Sequence, residues 1–252
     1  MPETRSSLSG RVVALAGGTG GLGSATAELL AVEGAKLVIS FAHDAGRAER
    51  LRERCGAGTV LCRADIQTAE GRQALLDAAP ELYGLVVLAG DPARGADEQT
   101  LRCSMEINFL APCLLARQAA ERMRAAGASG AIVLLASMQA VHVFENSTPY
   151  AAPKVALIHA ARILAKEFGG SADIRINVVA PGVTTAGMAE ASVRSGKYDR
   201  FLNAGLIPRF GRAEDVGRAV RFFLEPDNYI TGQVLTVDGG LTLRRDLAPQ
   251  PK

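Results

Sequence analysis

Short runs of β-prone apolar residues recur along the chain at Val12–Ala16, Lys36–Ser40, Val60–Cys62, Leu85–Ala89, Ala131–Ala136, Ile174–Val179 and Val234–Val237. Amphipathic stretches separate them: Gly23–Glu33, Ala45–Arg54, Ala69–Ala78, Met105–Ala126, Tyr150–Phe168 and Glu214–Leu224, each long enough for a crossover helix. Strands that alternate with helices pair in parallel, because each helix carries the chain back across the sheet. The pattern therefore predicts an α/β fold: a doubly wound, seven-stranded parallel sheet with helices on both faces. Its longest interruption, Pro181 to Arg212, follows a strand, where such sheets place their ligands, and residues 183–212 are expected to form a substrate lid. No internal repeat, low-complexity tract or Pro/Gly/Ser-rich linker divides the sequence, so residues 1–252 are expected to form one domain with exposed tails before Ser9 and after Leu243.

At 252 residues and 48% hydrophobic content the chain can bury a full core. Its 28 basic and 26 acidic residues nearly cancel, which removes the field that would gather nucleic acid or a membrane surface and leaves a small-molecule partner. The N-terminal MPETRSSLSG has no apolar signal core, and the longest apolar run, Ala131–Ala136, is too short to span a bilayer; a cytoplasmic location is expected. Cys55, Cys62, Cys103 and Cys113 show no CxxC pairing and read as reduced structural thiols. His43, His142 and His159 have no His, Asp or Glu at ligand spacing, so no metal site is expected. His142 follows Ser137 closely enough to be considered a substrate contact.

After the first run, Gly17-Gly18-Thr19-Gly20-Gly21-Leu22-Gly23 opens a helix, in the order strand, glycine turn, helix. Glycines at 17, 21 and 23 let the backbone turn sharply and approach a pyrophosphate, whose charge free amides and the positive helix end would hold. Glycine clusters also make ordinary turns, so the spacing alone identifies no ligand. The second run ends Ser40-Phe41-Ala42-His43, without the carboxylate that an NAD site places on the ribose, and this favours NADP(H) over NAD(H). His43 and Arg47 offer positive charge nearby.

Tyr150-Ala151-Ala152-Pro153-Lys154 sets Tyr and Lys four apart, on one face of a helix whose first turn is expected to hold Pro153. Ser137 ends the fifth run and Asn108 lies in the long helix after the fourth; both fall toward the C-terminal edge of the predicted sheet. A Tyr at a helix start beside a solvated Lys is also an ordinary structural arrangement. Taken in order, however, these motifs resemble the short-chain dehydrogenase/reductase family over essentially Leu8 to Leu243, in a branch similar to the 3-oxoacyl-carrier-protein reductases. Ile230-Thr231-Gly232-Gln233 and Val237-Asp238-Gly239-Gly240 are likewise similar to that family.

The resemblance implies a Rossmann-like fold, an NAD(P)(H)-dependent oxidoreductase interconverting a carbonyl and a secondary alcohol, and a catalytic tetrad of Asn108, Ser137, Tyr150 and Lys154. It places Gly17, Thr19, Gly21, Leu22 and Gly23 on the cofactor phosphates, Phe41 and His43 near the adenosine ribose, and Asp65 and Ile66 beside adenine. Ala89 and Gly90 would allow close approach, Pro181, Gly182, Val183 and Thr184 would lie beside nicotinamide, and Tyr150 and Lys154 would also touch the cofactor. Four positions depart from the pattern: Ala16 replaces a Thr, Val87 and Leu88 replace two Asn, and Ala186 stands where a Thr is common, leaving phosphate contact to Thr184 or Thr185. Hydride addition to a carbonyl leaves an alkoxide that must be protonated, and Tyr150 is the expected donor. The Lys154 ammonium is expected to lower the phenol pKa from its ordinary value of about 10. Ser137 would hydrogen-bond the substrate oxygen, and Asn108 would hold a water that returns protons to Lys154.

Val141, Val143, Phe144, Met188, Phe201 and Leu202 could wall an apolar substrate pocket or simply pack as core. Arg117, Arg122 and Arg124 read as a solvated face. Arginines that would dock a carrier protein are missing near Ala128 and Ser171, which keeps 3-oxoacyl-carrier-protein reductase an alternative. A cofactor-sensing protein without catalysis is the competitor from another class. A homotetramer is implied by the resemblance, its interface on Met105–Ala126 and Tyr150–Phe168 with Ala151, Ala156, Ala160 and Ala161 allowing close approach.

Overall fold

The computed structural model describes Leu8–Arg244. β1 (Val12–Ala16) leads through the glycine turn into α1 (Gly21–Val32), and β2 (Lys36–Phe41), α2 (Ala45–Cys55), β3 (Val60–Arg63) and α3 (Ala69–Asp77) repeat the unit. β4 (Leu82–Val87) is followed by one helical rod made of α4 (Glu98–Met105), a π-helical turn (Glu106–Leu110) and α5 (Ala111–Ala125). Then come β5 (Gly130–Leu135), α6 (Thr148–Phe168), β6 (Ile174–Pro181), α7 (Glu190–Arg194), α8 (Asp199–Asn203), α9 (Ala213–Leu224), β7 (Val234–Val237) and α10 (Leu241–Arg244). The seven strands form one parallel sheet in the order β3-β2-β1-β4-β5-β6-β7.

The sheet is buried from both sides, which is why its strands read as unbroken apolar runs. Along β1, Ala14 and Ala16 enter one core with α3, α5 and α6, while Val13 and Leu15 enter the other with α1, α2 and α9. β5 divides in the same way, Ile132 and Leu134 against Ala131, Val133 and Leu135. Strand order reverses at β1, whose neighbours β2 and β4 are reached by connections running to opposite sides. That reversal opens a crevice at the C-terminal edge between β1 and β4.

Several expectations are corrected. β4 begins at Leu82 and ends at Val87, not Ala89, because the amides of Leu88 and Ala89 both donate to the Ala16 carbonyl at 2.8 and 3.2 Å and turn the chain out of the sheet. These two backbone bonds also tie β4 to β1 where two Asn side chains were expected to be missed. The helix expected from Met105 begins at Glu98 and widens into a π turn around Asn108. α6 starts at Thr148, so Pro153 is the sixth residue of the helix and lies beyond its first turn. Leu8, assigned to a tail, is fully buried; residues 1–7 and 245–252 of the expected tails lie outside the described residues. Ala161 faces the protein's own core, and the outward faces of the helices carry half-exposed Met105, Leu110, Val155 and Ile163 instead.

The segment 183–212, expected as a lid, is not an irregular loop. It holds α7, α8 and a small core in which Val183, Phe201, Leu206 and Ile207 pack on Met138 and Leu241. Phe201 is therefore core to the lid and does not wall a pocket. Among the described residues, no helix is long and apolar enough to cross a membrane.

Candidate active site

Gly17 leaves β1 with φ +75°, a conformation that L side chains rarely adopt, and its amide meets the buried Ser40 hydroxyl at 3.3 Å. A Cβ at Gly17 would stand 2.7 Å from the Ala89 nitrogen, and one at Gly23 would stand 2.6 Å from the carbonyls of Gly17 and Gly18. These glycines let the turn fold flat against α1 and the chain after β4. α1 has no side-chain cap at Gly20, whereas Asp44, Thr68 and Asp97 cap the starts of α2, α3 and α4. First-turn amides of α1, near Gly21, Leu22 and Gly23, are thus available to an anion such as a pyrophosphate. Thr19 contributes its carbonyl, which accepts from Ser24 Oγ at 3.4 Å.

The expected lid segment, 183–212, reaches this turn directly. A Cβ at Gly21 would lie 2.5 Å from the Gly187 nitrogen, and Gly187 itself has φ +69°. The two hydroxyls expected to replace a Thr at Ala186 are engaged elsewhere: Thr184 donates to the Ala186 carbonyl at 3.0 Å and Thr185 to the Gly211 carbonyl at 3.3 Å. Gly187, which the sequence reading passed over, is the lid residue whose backbone meets the glycine turn. Pro181 ends β6, and Gly182 passes so close to Asp238 that a Cβ there would meet its Cβ at 2.6 Å.

Ser137, Tyr150 and Lys154 converge at the end of β5. Ser137 follows that strand and its Oγ accepts from the Gln139 amide at 3.2 Å. Lys154 is 2% exposed and donates from Nζ to the Leu135 carbonyl at 2.9 Å, and the same Nζ lies 5.9 Å from the centre of the Tyr150 ring. Burial pulls the Lys154 ammonium down to about 8. Tyr150 is shifted the opposite way from the expectation: burial raises its phenol, and hydrogen bonding with Ser137 offsets this only in part, while the Asp91 carboxylate adds to the rise. Desolvation of the phenolate outweighs its neighbours here.

Asn108 is fully buried at the π turn, and its side chain is committed to the protein. Nδ2 donates to the Asp91 carbonyl and to Ser104 Oγ, each at 2.9 Å, while Oδ1 accepts from the Asp91 amide at 3.1 Å. Gly90 connects this group to Lys154: a Cβ there would stand 2.9 Å from Asn108 Oδ1 and 3.4 Å from Lys154 Nζ.

On the β2–β3 side, Phe41 is half-buried at the end of β2 and His43 is exposed. Phe41 pairs in register with exposed Arg63 of β3. Arg63 was invisible to sequence reasoning, since nothing in the sequence states the register between two strands. Asp65 accepts from the Gln67 amide at 3.0 Å, and Ile66 is buried in the core beneath the same loop. A cavity of about 330 Å³ opens between this loop and the one after β4, lined in part by Gln67, Asp91, Arg94 and Ile107. His142 packs edge-on against Phe144 at 5.7 Å.

A crevice at the strand reversal, glycine-lined on one side and carrying Ser, Tyr and Lys on the other, defines a dinucleotide-dependent oxidoreductase. A family model described as enoyl-(acyl carrier protein) reductase matches residues 16–242. A cis-4-hydroxycyclohexanecarboxylate dehydrogenase of Sinomonas cyclohexanicum is 33% identical over 92% of this chain and 96% of its own length. A levodione reductase of Leifsonia aquatica is 30% identical over 95% and 96% respectively. A short-chain type dehydrogenase/reductase from Mycobacterium ulcerans superposes with a TM-score of 0.85 at 26% identity, covering 94% of this chain and 91% of that one. The chain belongs to the short-chain dehydrogenase/reductase family, whose NAD(P)-dependent chemistry interconverts an alcohol and a carbonyl.

Gly21→Ala tests the contact between lid and glycine turn. The added methyl meets backbone rather than a flexible side chain, so the lid must move. The protein is expected to stay folded while its dissociation constant for NADPH, read by fluorescence titration, rises by at least about tenfold.

Proposed function

We propose that this chain reduces a ketone, or oxidises the matching secondary alcohol, with Tyr150 moving the proton and NADP(H) preferred over NAD(H). The observation that carries this is the convergence of Tyr150, Ser137 and buried Lys154 at one strand end, across the crevice from the uncapped helix α1. The uncapped start of α1, with its first-turn amides free for an anion, fits the pyrophosphate of a dinucleotide. When bound, the nicotinamide supplies or accepts the hydride. Tyr150 and Ser137 hold the substrate oxygen from two donors, and Tyr150 releases its proton to the developing alkoxide. Lys154 stabilises the phenolate that remains.

Tyr150→Phe keeps the ring and removes only the hydroxyl, so folding and NADPH binding should persist while turnover falls by about 10²–10⁴-fold. Retention of more than about a tenth of wild-type turnover across a carbonyl panel would show that another group is the acid. The pH dependence follows from Lys154, whose ammonium is present below about 8 and lost above it. Burial keeps Tyr150 protonated across the same range. Carbonyl reduction should therefore hold level on the acid side of about 8 and decline above it, and a level profile to the ordinary lysine range would sink this role for Lys154.

Preference for NADP(H) is supported by Phe41, which offers no carboxylate to repel a 2′-phosphate, and by exposed Arg63 in register beside it. His43 and Arg47 add exposed positive character. Titrations should give a smaller dissociation constant for NADPH than for NADH, and Arg63→Glu should narrow that gap. Tighter NADH binding would overturn the preference.

Met105 and Leu110 on one helical rod and Val155 and Ile163 on α6 leave outward apolar faces that suit a homotetramer. Light scattering should give four times the 26.3 kDa chain mass, and a monomer at micromolar concentration would refute the assembly.

A further inference from the structure

Proline at position 153 creates a vacancy that another element fills. Inside a helix, a residue's amide bonds the carbonyl four residues earlier, and proline has no amide to give. Pro153 is the sixth residue of α6, so the carbonyl of Pro149 loses its helical partner. That carbonyl belongs to the peptide that carries Tyr150. It is not left bare: Ser104, buried on the last turn of α4, donates its hydroxyl to the Pro149 carbonyl at 2.5 Å. Having given its single proton there, Ser104 Oγ must act as acceptor toward its other neighbour, and Asn108 Nδ2 donates to it at 2.9 Å. Asn108 in turn holds both backbone groups of Asp91.

We propose that Ser104 is a positioning residue for Tyr150, replacing through its hydroxyl the helical bond that Pro153 removes. One buried hydroxyl thereby joins the peptide before Tyr150 to the Asn108–Asp91 pair and to the chain beside Gly90. The proposal rests on the reading that Tyr150 is the proton donor. It adds a residue that touches neither substrate nor reacting atoms.

The test is a cycle of Ser104→Ala, Pro153→Ala and the double variant. Ser104→Ala should lower kcat on the order of tenfold with the NADPH dissociation constant unchanged, because Tyr150 shifts against the substrate oxygen. Pro153→Ala restores the amide at 153, makes the Ser104 hydroxyl redundant for the Pro149 carbonyl, and should by itself stay within about twofold of wild type. In the double variant the new amide should recover most of the lost kcat. A second readout needs no substrate: phenolate absorbance against pH, taken as the difference between each protein and its Tyr150→Phe counterpart. Its midpoint should move in Ser104→Ala and return in the double variant. Ser104→Cys, which keeps the volume with a weaker donor, should move both readouts in the same direction if Ser104→Ala folds poorly. Loss of thermal stability in Ser104→Ala with kcat and the phenolate midpoint unchanged would overturn the proposal. So would a double variant as impaired as Ser104→Ala, since the effect would then run through Asn108 and not the Pro149 carbonyl. If no carbonyl is reduced by the wild type, the functional reading fails, and the absorbance cycle still decides the role of Ser104.

Discussion

Lys154 brings an ammonium to the carbonyl of Leu135, at the last residue of β5, in a position with almost no solvent. Removing that charge from water is unfavourable, and this desolvation pulls the ammonium down to about 8. The arrangement holds only if α6 is seated firmly on the sheet. Leu157, Ile158, Ala161 and Leu164 seat it, packing into the core that also takes Ile132 and Leu134 of β5. Once the helix is fixed there, Tyr150, one turn earlier, is carried to the edge where Ser137 leaves the strand. A helix rotated by one residue would present Val155 in place of Lys154 and place an alkyl group at the Leu135 carbonyl.

The other wall of the crevice depends on the absence of side chains. Three backbone segments meet there: the turn after β1, the chain after β4 and the start of the lid. Gly17 touches Ala89, Gly21 touches Gly187, and Gly90 faces Asn108 and Lys154. At each of the three glycines a Cβ would come within 3 Å of a heavy atom, of Ala89, of Gly187 and of Asn108 respectively, so the close approach depends on the missing side chain. Backbone contacts also hold the chain at Val87-Leu88, where the family pattern has two Asn. The junction of β4 to β1 is made by amides of Leu88 and Ala89 on the Ala16 carbonyl, leaving the Leu88 side chain to pack beside the core of the α1 face.

The strands were legible because a sheet buried on both faces writes itself as apolar runs, and β1 and β7 fall where those runs do. That Ser137, Tyr150 and Lys154 come together at one strand end was legible through spacing and resemblance. Four kinds of feature were not. The π turn at Asn108 changes the hydrogen-bond pattern without changing the apolar periodicity around it. The lid's small core is assembled from Met138, Val183, Phe201 and Leu241, residues too far apart in sequence to form a period. Arg63 beside Phe41 depends on register between strands. The rise in the Tyr150 phenol depends on how deeply the ring is buried, which no residue spacing encodes.

That rise changes how the pair works. A nearby ammonium favours phenolate, whereas desolvation favours phenol, and the two effects compete on the same oxygen. In the mechanism proposed above, a favoured phenol is ready to give the proton that carbonyl reduction requires, and alcohol oxidation must first take that proton away. Lys154 supports either direction only while charged, and its own charge is weakened by the burial that holds Tyr150 in place. The same apolar packing that positions the two residues thus drives their proton affinities apart, the phenol upward and the ammonium downward. Each shift favours the neutral form of its group, so a phenol beside an amine is favoured over a phenolate beside an ammonium, and the phenolate is reached only as the substrate oxygen takes the proton.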